Sequence, residues 1–127
     1  MKELRSTLGR IRGLGSSNEG SKHWWTQRVL GIALVPLIIW LIFASPNIFG
    51  TNLGQFKDWL GGTGNAVFLC LFILTALAHG QLGMQVIIED YINSPILNTL
   101  LILVIKGISV LVGTFSLFVI IKLSLGS

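Results

Sequence analysis

The stretch AVFLCLFILTALAHGQLGMQVIIEDY, residues 66–91, decides the fold. From Ala66 to Ile88 it runs 23 residues without a formal charge. At about 1.5 Å of rise per residue, a helix of that length crosses the roughly 30 Å hydrocarbon layer of a bilayer. The segment is apolar all round rather than along one stripe, so lipid or other membrane helices must be its solvent. Outward from it, Trp25 to Ala44 gives a second apolar run of 20 residues, and Ile96 to Ile121 a third of 26. Hydrophobic residues make up 52% of the 127-residue chain, charged ones 11%, and the mean hydropathy is +0.78, well beyond what one soluble core requires. The patterning predicts an all-α integral membrane protein: a single anchor domain over 1–127, with an arm at 1–23 and transmembrane helices at 24–44, 66–88 and 96–121.

The charge of +4 is unevenly placed. Lys2, Arg5, Arg10, Arg12, Lys22 and Arg28 outnumber Glu3 and Glu19 by four, whereas Lys57, Lys106 and Lys122 cancel Asp58, Glu89 and Asp90. A basic block directly before the first apolar run holds that end in the cytoplasm, which accounts for the charge without nucleic acid. Three spans then put the turn at 89–95 in the cytoplasm and the C-terminus on the far side, as expected of a multi-pass protein of the bacterial inner membrane. The Gly- and Ser-rich opening, residues 1–21, has no sustained periodicity and reads as a mobile or partner-dependent cytoplasmic arm. The long polar opening and the 20-residue run after it favour a spanning helix over a cleavable signal peptide. Trp24 and Trp25 sit at headgroup level, and Pro36 predicts a kink in mid-span. Ser45 to Asn65 reads as a connector with a short amphipathic piece, Gln55 to Leu60, on the outer surface. The chain has one cysteine, Cys70, within an apolar run, so it holds no internal disulfide or four-cysteine metal site. Nucleotide-binding glycine fingerprints and nucleophile elbows are absent, and partners must supply much of any chemistry.

His79 lies about 14 Å along the axis from Ile88. An imidazole at that depth is a haem ligand, a hydrogen-bonded structural group or part of a proton relay. Gly83, one turn on, leaves room for a flat macrocycle. His79, Gly83, Val86 and Asp90 form one stripe, and Gly80, Met84, Ile87 and Tyr91 the next. Asp90 and Tyr91 therefore emerge at the cytoplasmic mouth, either as an interfacial pair or as a proton carrier and a donor to a quinone carbonyl. Gln27 and Arg28 sit one turn inside Trp24, where Arg28 either snorkels to lipid phosphate or clamps a propionate. Lys106 lies about 15 Å into the third helix and faces protein, a cofactor carboxylate or water, unless the span begins later.

Taken together, Ser21-Lys22-His23-Trp24 with Gln27-Arg28, then Ala78-His79-Gly80, Gly83-Met84 and Ile87-Ile88-Glu89-Asp90-Tyr91, resemble the small hydrophobic membrane anchor of succinate dehydrogenases, from about Ser21 onward. The resemblance implies a non-catalytic subunit of succinate:ubiquinone oxidoreductase. His79 would be one axial, iron-binding ligand of haem b, with the other supplied by a companion cytochrome b anchor. Arg28 would sit near the haem propionates, and Tyr91 with Asp90 beside it at the ubiquinone carbonyl. An iron-sulfur subunit and a flavoprotein subunit would dock on the cytoplasmic face. The alternatives are a fumarate reductase anchor and a small non-redox membrane protein with a structural histidine. Lys106 receives no role from the resemblance.

Overall fold

A computed structural model describes the backbone of residues 7–62 and 64–126 and the side chains of residues 22–62 and 64–126. The order is α1 (Thr7–Phe49), α2 (Leu53–Leu60), α3 (Asn65–Tyr91) and α4 (Pro95–Ser124). Three segments, Lys22–Phe49, Asn65–Tyr91 and Pro95–Ser124, are long and apolar enough to cross a membrane.

Each span is longer than its apolar run because polar side chains carry the helix past it. Pro46 has no N–H for the carbonyl of Ile42, yet the Ser45 hydroxyl donates to that carbonyl at 2.7 Å, and α1 continues to Phe49 instead of ending at Ala44. Pro36 likewise lies inside the continuous helix. α3 keeps Glu89 and Asp90 in its last turn, which shortens the expected polar turn to residues 92–94. Asn98 closes this end by donating through Nδ2 to the carbonyls of Ile88 and Ile92, both at 3.2 Å. Ser94 caps α4 by accepting from the Leu97 N–H at 3.4 Å, with Pro95 placed where the helix needs no donor.

The backbone is helical from Thr7, so the irregular arm expected over 1–21 is not irregular over 7–21. Adding turns to an established helix avoids the nucleation cost, and this outweighs the glycines of that stretch. Residues 1–6, and the side chains up to Ser21, lie outside the described residues.

α3 is the middle helix. It packs against α1 on one side and α4 on the other, while the backbones of α1 and α4 do not approach each other closely among the described residues. The chain is thus a row of helices rather than a closed bundle. At Gly113 an added Cβ would stand 3.3 Å from Leu77 Cδ1, which shows how closely α4 approaches α3. α2 lies across the opposite end from the 92–94 turn. Phe56 stacks on Trp59, Trp59 on Trp40 of α1, and Trp40 on Phe68 of α3, with centroids 6.0, 6.1 and 5.4 Å apart. Leu60 is 1% exposed beneath them, and the Asn65 amide holds the Trp59 carbonyl at 2.8 Å. The rest of the surface is apolar and open: Tyr91 and Phe43 are each 79% exposed, and many Leu, Ile and Val side chains of all three spans face outward. That distribution suits lipid and partner helices, since side-chain packing and not water exclusion drives association there.

Candidate functional site

The candidate site starts from one helical stripe of α1. Trp24, Gln27, Arg28, Gly31, Ile32 and Val35 recur at spacings that keep them on one face, and with His79 of α3 they line an open groove of about 510 Å³. The Arg28 guanidinium lies over the Trp24 ring, 4.8 Å from its centroid, a cation–π contact that holds the cation at the mouth of the groove. Trp24 in turn meets Trp25 edge-on at 5.0 Å.

His79 enters the groove where α1 has no side chain. A Cβ built on Gly31 would come within 3.3 Å of His79 Cε1 and 3.8 Å of Nδ1, so glycine is what lets the imidazole nest against α1. His79 Nδ1 is buried with no hydrogen-bond partner among the described residues. A buried imidazole nitrogen without a partner is costly, and a ligand bond at the other ring nitrogen leaves that cost in place. With Nδ1 against α1, the nitrogen left for a ligand is Nε2, across Cε1 from it. Gly83 borders the same region, but α1 reaches it: its missing Cβ would stand 3.9 Å from Gln27 Nε2. Among the described residues no group of three His, Cys, Asp or Glu side chains could hold a metal ion, so any iron here depends on a macrocycle and a second chain.

The structure brings His79, Arg28 and Gly83 to one region and leaves Asp90 and Tyr91 apart. Both lie in the last turn of α3, about 12 Å along the axis from Gly83 in Tyr91's case, and Tyr91 is 79% exposed. Gly80, Met84, Ile87 and Tyr91 form an exposed stripe of α3, with nothing within 4 Å of the Cβ position of Gly80. Sequence reasoning missed Gly31 and the pairing of Trp24 with Arg28. The signals were present: a glycine three residues after Arg28 in a helical run, and a tryptophan four residues before it.

The comparisons with known proteins agree on one family. The model of the succinate dehydrogenase/fumarate reductase transmembrane subunit matches residues 2–121. A succinate dehydrogenase hydrophobic membrane anchor subunit of Rickettsia bellii is 33% identical over 86% of this chain and 87% of its own length. A succinate dehydrogenase membrane anchor subunit of Reclinomonas americana is 32% identical over 74% and 81% of the two chains. That of Paracoccus denitrificans is 29% identical over 62% and 61%. No solved structure matches the chain. With nearly its whole length matched and three apolar spans, two of them flanking the third, the chain belongs to the succinate dehydrogenase/fumarate reductase transmembrane subunit family.

Proposed function

We propose that this chain is the membrane anchor of a succinate:ubiquinone oxidoreductase, supplying one axial haem b ligand and part of the ubiquinone site. The observation that carries the reading is the α1–α3 groove, where an imidazole seated against Gly31 and an arginine poised on a tryptophan occur together. These residues fit the group: His79 would hold the iron through Nε2, Arg28 would pair with a propionate, and Gly31 would let the imidazole seat against α1. Haem supplies a one-electron carrier when bound. A companion cytochrome b anchor would furnish the second ligand, because His23 of this chain stands on α1 some eight residues before Gly31, about 12 Å along the axis from the recess.

Tyr91 and Asp90 form the second element. Ubiquinone becomes ubiquinol by taking two electrons and two protons. Charge that develops on a quinone oxygen strengthens a hydrogen bond donated to it, so a phenol at the edge of the membrane lowers the barrier. Asp90 beside it is suited to proton delivery. A quinone head reaches this end from the lipid while its tail stays in the bilayer. The 92–94 turn and the start of α1 would face the cytoplasm of a bacterium, the side on which an iron-sulfur protein and a flavoprotein would dock. This chain would oxidise no substrate itself; it positions the haem and one wall of the quinone pocket.

The test is purification of the complex from its native membrane. The expected result is co-isolation with a second membrane subunit, an iron-sulfur protein and a flavoprotein, together with a dithionite-reduced b-type alpha band. A chain that purifies without these partners and without haem would instead match the non-redox alternative. A complex that reduces fumarate with menaquinol far faster than it reduces ubiquinone with succinate would assign it to fumarate reductase.

A further inference from the structure

His79 presents its two nitrogens to different surroundings. Nε2 is the one left for a ligand, whereas Nδ1 is buried and has no hydrogen-bond partner among the described residues. A Cβ built on Gly31 would stand 3.3 Å from Cε1 and 3.8 Å from Nδ1, so the Cε1–Nδ1 edge of the ring is the edge laid on α1.

The side chains of α1 beside that edge explain the missing bond. Trp24 and Arg28 carry donors only, and Ile32 and Val35 are apolar. Gln27 is the one groove residue of α1 with a side-chain acceptor, and it sits a turn before Gly31, its Nε2 3.9 Å from the Cβ position of Gly83. Gly31 itself brings no atom to the ring. Nδ1 is covered by the chain's own atoms, so neither water nor a second chain reaches it without displacing α1 or the ring.

A neutral imidazole that binds a metal through one nitrogen keeps its proton on the other, and that N–H ordinarily donates to a carboxylate, a carbonyl or water. The donated bond increases the electron density that the ring passes to the metal, which favours the more oxidised ion. With Nε2 as the ligating atom, the proton of His79 stands on Nδ1, in a seat that offers it no acceptor. The contribution that favours the oxidised ion is then absent.

We propose that Gly31 and the face of α1 around it hold His79 as an imidazole without an acceptor for Nδ1–H, and thereby raise the reduction potential of the haem above the value that a hydrogen-bonded His79 would give. The inference rests on the reading of His79 as a haem ligand. Gly31 acts through His79, as a positioning residue.

Potentiometric titration of the purified whole complex, followed at the reduced alpha band, tests this with two variants of nearly equal size. Gly31→Ala and Gly31→Ser place the same Cβ against the ring, but serine adds an oxygen one bond from a Cβ that stands 3.8 Å from Nδ1, within hydrogen-bond reach. A helical serine can donate its own proton to the carbonyl four residues before it, which leaves its oxygen free to accept. Gly31→Ala is expected to keep the parent's preference between ferric and ferrous haem to within about twofold. Gly31→Ser is expected to favour the ferric form about threefold to tenfold relative to Gly31→Ala, which lowers the midpoint potential by about 30–60 mV at 59 mV per tenfold for one electron. Equal potentials in the two variants, or a higher one in Gly31→Ser, would overturn the proposal and leave Gly31 as a residue that only makes room. A parent complex without a b-type band would remove the ligand reading, and this inference with it.

Discussion

Gly31 is the residue on which the α1–α3 recess depends, and enlarging it should disturb His79 before it disturbs the fold. The Cβ of an alanine would stand 3.3 Å from His79 Cε1, a few tenths of an ångström inside the roughly 3.5–4.0 Å optimum for carbon contacts. Gly→Ala within a helix also gains about 0.5–1 kcal/mol of helix propensity, which offsets much of that strain. Gly31→Ala is therefore expected to assemble normally, with a small shift of the haem band. Gly31→Val adds two methyl groups in the same place, beyond what a slight tilt of the imidazole absorbs, and overpacking of this kind costs about 1–3 kcal/mol. Ring displacement relieves that strain, so haem affinity should fall by about five- to a hundredfold, each 1.4 kcal/mol being tenfold, with a shifted band and loss of haem during purification. The assay is the dithionite-reduced minus oxidised spectrum per mole of purified complex. Full occupancy and an unshifted band in Gly31→Val would refute the argument that this glycine makes room for a ligating His79.

Three other outcomes follow from the same geometry. Tyr91→Phe keeps the exposed ring and removes the hydroxyl, so the complex should retain haem and dye reduction while ubiquinone reduction falls about ten- to a thousandfold; equal quinone reductase rates at saturating quinone would reduce Tyr91 to an interfacial aromatic. Reporters fused near Ser6 and after Ser127 should read cytoplasmic and extracytoplasmic; the same side for both would mean that the three helices do not all cross. Asn98→Leu removes the donor to the Ile92 carbonyl, while the Ile88 carbonyl keeps the Ile92 N–H, at about 1–3 kcal/mol, and should make the 92–94 turn more sensitive to protease in membrane vesicles; unchanged cleavage would show that the Ile92 carbonyl finds another partner.

The number and order of the spanning helices were legible in the sequence because long uncharged runs admit few other structures in lipid. The helix ends were not, since hydropathy marks the hydrocarbon layer while the ends are set by single polar contacts such as Ser45 to the Ile42 carbonyl and Asn98 to the Ile88 carbonyl. His79 and Arg28 stood out as ionisable groups near apolar surroundings, and the groove brings them together. Gly31 did not stand out, because its importance lies in what faces it, and facing depends on how α1 crosses α3. The row arrangement was hidden for the same reason: the periodicity of an all-apolar helix does not say which sides meet protein and which meet lipid. That Gln85 is buried was not readable from its spacing, because its burial depends on the neighbouring helices.

The central claim is that His79 ligates haem in a complex held to the membrane by this chain, and His79→Leu tests it most directly. The variant keeps the volume and the apolar character of the site while removing both ring nitrogens. The low-spin b-type spectrum of the purified complex is expected to be lost or strongly altered and association with the companion membrane anchor to weaken, while the detached flavoprotein and iron-sulfur proteins still oxidise succinate with a dye acceptor. A His79→Leu complex with the parent's haem content and an identical reduced spectrum would contradict it.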